Sequence, residues 1–172
     1  MNITVLGDGA WGTAIAQLIA YNNHDVTLWC YDSSVYTSII THHENRKYFK
    51  GFTLSSRIKP EKDINESVKD ADYIFQAIPV PFLRKVLSTI TYKTTQPWIH
   101  LSKGIEQKTD ALPTDIFRDI FPQNTQHAAI SGPSFAHELA NHQPTQVMCG
   151  CDDIKLFHEL QDIMCNSFFS LK

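Results

Sequence analysis

Residues 3–32, ITVLGDGAWGTAIAQLIAYNNHDVTLWCYD, decide the fold. A β-branched run at 3–6 feeds three glycines, Gly7, Gly9 and Gly12, and an almost wholly apolar helical pattern over 11–21 follows at once. A strand that enters a helix through G-x-G-x-x-G has a physical purpose. The first glycine permits the tight turn, the second lets backbone approach a pyrophosphate, and the third lets helix and strand pack closely. Free N–H groups and the dipole at the helix start then favour an anion. Residues 25–30 read as a second strand, and Asp32 follows Gly12 by twenty residues, where an acidic side chain can accept bonds from ribose hydroxyls. A carboxylate there repels the additional phosphate of NADP, and Tyr31 offers an adenine-stacking face without a cation, so the pattern favours NAD. Asp32 is equally placed to cap a helix starting near Ser34. Trp11, in the first turn of the glycine-loop helix, is badly placed to hide in the core and suits a wall beside the diphosphate.

Outward from this unit, strand-like runs alternate with helical patterns. The periodicity predicts helices over 34–41, 81–90 and 113–120 and strands over 73–78, 98–101 and 128–130. Such alternation argues for a parallel sheet covered by helices, and the early strands carry almost no polar alternation, as burial on both faces demands. The expected fold class is α/β, a doubly wound, mainly parallel sheet of Rossmann type, with one NAD(P)-binding domain over residues 1–172. Asn22 and Asn23 close the first helix where a left-handed cap is needed. Residues 44–63, polar with scattered aromatics, read as an excursion over the sheet edge. Residues 146–151 read as a strand, 153–164 as an amphipathic helix, and the final FFSLK as one more strand, so the chain reads as stopping in mid-pattern.

Composition bounds the partners. A length of 172 residues suits one core, and 42% hydrophobic with 19% charged residues is ordinary globular usage. No run of about 18 apolar residues offers an integral membrane segment, and no basic region precedes an apolar core at the N-terminus, so the expected location is cytoplasmic. A net charge of −3 without Lys/Arg clusters argues against nucleic acid and leaves a small molecule as the partner. Cys30, Cys149, Cys151 and Cys165 sit in or beside apolar segments and read as reduced thiols. Neither they nor the eight histidines show metal-ligand spacing, so no metal is expected.

Two later stretches carry chemistry. HLSKGIE, residues 100–106, places Lys103 just past a strand's carboxyl end, where open α/β sheets bind ligands and an ammonium can hold a phosphate or polarise a carbonyl. ISGPSFAHELA, residues 130–140, is a second strand exit at which Gly132 and Ser134 can offer a backbone N–H and a hydroxyl to an anion. Ser131 or Gly132 before Pro133 also makes a good helix start.

With these residues assembled, the chain resembles the bacterial NAD(P)-dependent glycerol-3-phosphate dehydrogenases. The resemblance rests on GDGAWGTAIA, HENRKYF, ADYIFQAIP, SKGIE and SGPSFAHELA, in order along the chain. It implies interconversion of dihydroxyacetone phosphate and sn-glycerol 3-phosphate with NAD(H) or NADP(H), feeding phospholipid synthesis, in a cytoplasmic protein that is usually a homodimer. It further implies that Ala10 and Trp11 contact the diphosphate, that Tyr31 and Asp32 lie at the adenosine end, and that Tyr48 is a further cofactor contact. Lys103 would touch cofactor and substrate, Gly132 and Ser134 the substrate, Ala136 the cofactor, and Phe82 would flank the nicotinamide.

Departures matter too. Family members that accept NADPH often carry His and Arg where this chain has Tyr31 and Asp32, and Lys50 stands where the family has proline. The resemblance also implies a second, helical domain supplying the catalytic lysine; Lys172 is too early to match it, so no catalytic residue is expected in this chain, which reads as a cofactor-binding part inactive alone. The alternatives are a stand-alone NAD-binding regulatory module and a related dehydrogenase of another small anionic substrate.

Overall fold

A computed structural model describes all residues, Met1–Lys172. Strands β1 (Asn2–Leu6), β2 (Asp25–Trp29), β3 (Ile58–Glu61), β4 (Tyr73–Gln76), β5 (Trp98–His100), β6 (His127–Ser131), β7 (Thr145–Gly150) and β8 (Phe169–Leu171) form one sheet in the order β3-β2-β1-β4-β5-β6-β7-β8. All neighbours are parallel except β6 and β7. The first six strands follow the doubly wound order, so the chain reverses its direction of travel across the sheet between β1 and β4, and in sheets of this order the crevice outside those carboxyl ends is where ligands bind.

Alternation along each strand builds two cores. Ile3, Val5, Val26, Leu28, Phe75 and Ile99 face helices α1 (Ala10–Tyr21), α2 (Ser33–His42), α6 (Ala136–Ala140) and α7 (Ile154–Met164). Leu6, Ile74 and Trp98 face α3 (Ile64–Lys69), α4 (Val80–Leu87) and α5 (Pro113–Ile120). A sheet buried on both faces accounts for the apolar continuity of β1 and β4. Asn23, at φ 66°, supplies the left-handed turn after α1, and the Asn22 side chain donates to Ile163 O at 2.9 Å, tying that turn to α7.

Two expectations need correction, and one element is additional. The 44–63 segment is not only an excursion: it ends in β3, whose Pro60 is tolerated because the strand lies at the sheet edge. The short helix α3 was not foreseen, although Asp63 caps it by accepting from the N–H groups of Asn65 and Glu66. The helix after SGPS begins at Ala136, with Phe135 at its cap, and not at Pro133. Gly132 through Phe135 form a non-helical loop there, and Gly132 packs so closely on β7 that a Cβ would lie 3.0 Å from Val147 Cα.

Candidate cofactor site

The glycine loop sits at the crevice. Gly7 adopts φ 121°, which side chains rarely tolerate, and an added Cβ would meet Ala77 O at 2.9 Å. At Gly12 the added atom would lie 2.0 Å from Gly7 O, so the close crossing of α1 over β1 admits only hydrogen. Gly9 is the opposite case: nothing lies within 4 Å of its would-be Cβ. Packing therefore requires Gly7 and Gly12, and open space is what Gly9 preserves. The start of α1 has no side-chain cap and no acidic residue in its first turn, which leaves its N–H groups for an anion. A dinucleotide diphosphate fits this cradle. Ala10 and Trp11 open α1 beside it, and the indole is half-buried, packed against the core.

A buried asparagine holds the loop. Asn45, wholly inaccessible, donates from Nδ2 to Asp8 O and to Thr13 Oγ1, both at 2.8 Å, and accepts from the Tyr48 N–H at 3.0 Å. One amide thus fastens the long 44–63 segment to the glycine loop and presents Tyr48 beside it. Nothing in local periodicity marks Asn45; its signal is only its place three residues before Tyr48 in the HENRKYF motif.

Asp32 and the exposed Tyr31, expected to face the adenosine, lie just beyond β2. The Asp32 carboxylate caps α2, accepting from Ser34 N–H at 2.8 Å and Ser34 Oγ at 2.6 Å, while its own N–H donates to Asp8 Oδ2 at 3.0 Å. Its second oxygen is ion-paired with Lys47, and the Lys47 ammonium together with the Ser34 donors holds the Asp32 carboxyl far below the usual carboxylate range. This corrects the expectation of an adenosine end without a cation. Burial instead raises Asp8, whose carboxylate lies on the loop floor.

On the other side of the crevice, Lys103 Nζ donates to Gly132 O at 2.9 Å, joining the exits of β5 and β6. Ser134, which shares that carbonyl at 3.5 Å, and Ala136 at the start of α6 stand in the same loop. Gly104, at φ 114°, turns the chain sharply behind Lys103. Glu106 then anchors it, taking both carboxylate oxygens to Arg84 Nε at 2.9 Å, so the acid of SKGIE is a brace. Phe82 is exposed in the first turn of α4. No group of three or more His, Cys, Asp and Glu is arranged to hold a metal ion, and no helix is long and apolar enough to cross a membrane.

Comparison with known proteins agrees with this geometry. The family model described as NAD-dependent glycerol-3-phosphate dehydrogenase N-terminus matches residues 2–157. The chain is 36% identical over 171 residues to a glycerol-3-phosphate dehydrogenase (NAD(P)+) of Bacillus cereus, covering 97% of this chain and 50% of that protein. It is similar to the crystal structure of glycerol-3-phosphate dehydrogenase from Coxiella burnetii, at a TM-score of 0.90 and 25% identity over 99% of this chain and 52% of the other. Against the yeast Saccharomyces cerevisiae enzyme the TM-score is 0.84 at 26% identity, over 100% of this chain and 56% of that one. The chain thus spans about half the length of the relatives it matches. With the glycine loop, the acid just beyond β2 and the two strand exits in place, the chain belongs to the NAD-dependent glycerol-3-phosphate dehydrogenase family, in its N-terminal, cofactor-binding part.

Proposed function

We propose that residues 1–172 form one NAD(P)-binding domain of a cytoplasmic, homodimeric glycerol-3-phosphate dehydrogenase that interconverts dihydroxyacetone phosphate and sn-glycerol 3-phosphate. The observation that carries this reading is the Lys103–Gly132 bond, which joins two strand exits across the crevice from the glycine loop. In this reading Gly7, Gly9, Ala10, Trp11 and Gly12 receive the diphosphate, and Tyr31, Asp32 and Tyr48 receive the adenosine. Phe82 flanks the nicotinamide, which supplies or takes up the hydride when bound. Ala136 borders the cofactor from the opposite loop. Lys103, freed from the Gly132 carbonyl, places its ammonium against the substrate's developing oxyanion or its phosphate, with Gly132 and Ser134 alongside. No residue of this chain is assigned proton transfer; the reading gives that step to a lysine outside residues 1–172. General acid–base catalysis and positioning each contribute several powers of ten, so the 172-residue chain alone should not turn over.

An assay of NADH oxidation with dihydroxyacetone phosphate tests this. The expected result is no turnover by residues 1–172 and turnover by the full-length protein. Turnover of a different small anion with none on dihydroxyacetone phosphate would overturn the substrate, and turnover by the chain alone would overturn the placement of proton transfer.

A further inference from the structure

The one cation at the adenosine end is Lys47. It lies fifteen residues beyond Asp32 in sequence, pairs with Asp32 Oδ2, and holds its ammonium 5.0 Å from the centroid of the Tyr48 ring. Its neighbour Arg46 pairs instead with Glu44 at 3.1 Å. Around Lys47 stand two carboxylates, Asp32 and Asp8, tied together by the Asp32 N–H bond to Asp8 Oδ2 at 3.0 Å. Two anions and one ammonium leave this corner net negative, which on its own repels a phosphate.

Acceptor capacity shows what Lys47 does to Asp32. A carboxylate offers about four lone-pair sites. Ser34 occupies Oδ1 twice, through its N–H and its hydroxyl, and Lys47 occupies Oδ2 once. One site on Oδ2 remains for a ribose hydroxyl, so the Asp32–ribose bond and the Asp32–Lys47 pair can coexist. With NADH, Lys47 therefore stays where it is. A 2′-phosphate brings about −1.5 to −2 charges to the same place. The side chain of Lys47 is 49% exposed, on a flexible four-carbon stem, and it can swing from Oδ2 to the phosphate without breaking any buried contact.

We propose that Lys47 is the specificity-determining residue that reads the cofactor's 2′-phosphate, allowing an adenosine end built around Asp32 to accept NADPH as well as NADH. The proposal rests on the reading of this crevice as the dinucleotide site. It goes beyond that reading by assigning the two cofactors to two different partners of one ion pair: the ribose of NADH to Asp32, the 2′-phosphate of NADPH to Lys47.

The test is calorimetric titration of the 172-residue chain and its Lys47→Gln variant with NADH and NADPH, at low and high salt. Lys47→Gln should weaken NADPH about tenfold, the worth of one charge-assisted contact at an exposed site, and leave NADH within about twofold. High salt should erode NADPH affinity in the parent and much less in the variant. The melting temperature should be nearly unchanged, since Lys47 is exposed and its side chain meets only Asp32 and the exposed Tyr48 ring. Equal loss for both dinucleotides, or no loss for either, overturns the assignment of Lys47 and leaves the site reading intact. Failure of the parent chain to bind either dinucleotide overturns the site reading and the proposal with it.

Discussion

Acid should weaken this fold through His100 by an amount that can be worked out. The imidazole is 2% exposed on β5, lies 5.0 Å ring to ring from Phe117 and 5.6 Å from His127, and neither ring nitrogen has a hydrogen-bond partner. Burial, with the nearby His127 and Arg118 charges adding to it, pushes its pKa from 6.5 down to about 3. The unfolded chain therefore binds a proton that the folded chain refuses. The stability contributed by the neutral ring is complete above the unfolded value and is lost as pH falls from 6.5 toward 3. Between about pH 7.5 and about pH 5 the linkage relation gives a loss of about 2 kcal/mol, or roughly 4–8 °C in melting temperature for a chain of this size. Urea unfolding of the parent and of His100→Leu at both pH values isolates the term, because the other titrating groups are common to both. The variant should lose about 2 kcal/mol less on acidification, and at neutral pH it should be no less stable, since it removes two unpartnered polar atoms. Parallel pH dependences in the two proteins would show that His100 does not carry the acid sensitivity.

The glycines should separate by phenotype. Gly9→Ala has room for its methyl and an ordinary φ of −66°, so its melting temperature should hold while NADH binding falls; Gly12→Ala, facing Gly7 O at 2.0 Å, should lower the melting temperature sharply. Asn45→Asp cannot donate to Asp8 O and buries a charge; with two hydrogen bonds lost, urea unfolding should show about 3 kcal/mol less stability and titration weaker NADH binding. Asp32→Ala should weaken NADH and spare or improve NADPH, at about 1 kcal/mol of stability for the lost α2 cap, as read by titration and thermal melting. Equal loss of both cofactors would remove Asp32 from ribose recognition.

The parts legible in the sequence are those that local contacts dictate. Gly7 and Gly12 touch atoms within the same β1–α1 unit or its immediate neighbour Ala77, so their spacing alone announces the turn, and Asn23 closes α1 for a similarly local reason. The exit loops at Lys103 and Gly132 were legible as positions past strand ends, but their mutual bond was not, because it spans 29 residues. The edge strand β3 escaped because it presents only Ile58 to the core and takes its register from β2. Helix α3, at six residues, is too short to display a period, although Asp63 and Glu66 mark its start. Asn45 and Lys47 were invisible for one physical reason: each acts on a partner in another element, Asp8 and Asp32, reached only when the 44–63 segment folds back.

In this reading the crevice at the β1–β4 switch point holds a nicotinamide dinucleotide. Calorimetric titration of the 172-residue chain with NADH tests it most directly, with Gly9→Ala as the control that keeps the fold. Saturable binding at one site per chain, weakened by Gly9→Ala at unchanged melting temperature, is the predicted result. Absence of binding by the folded parent chain, or binding indifferent to Gly9→Ala, would contradict it.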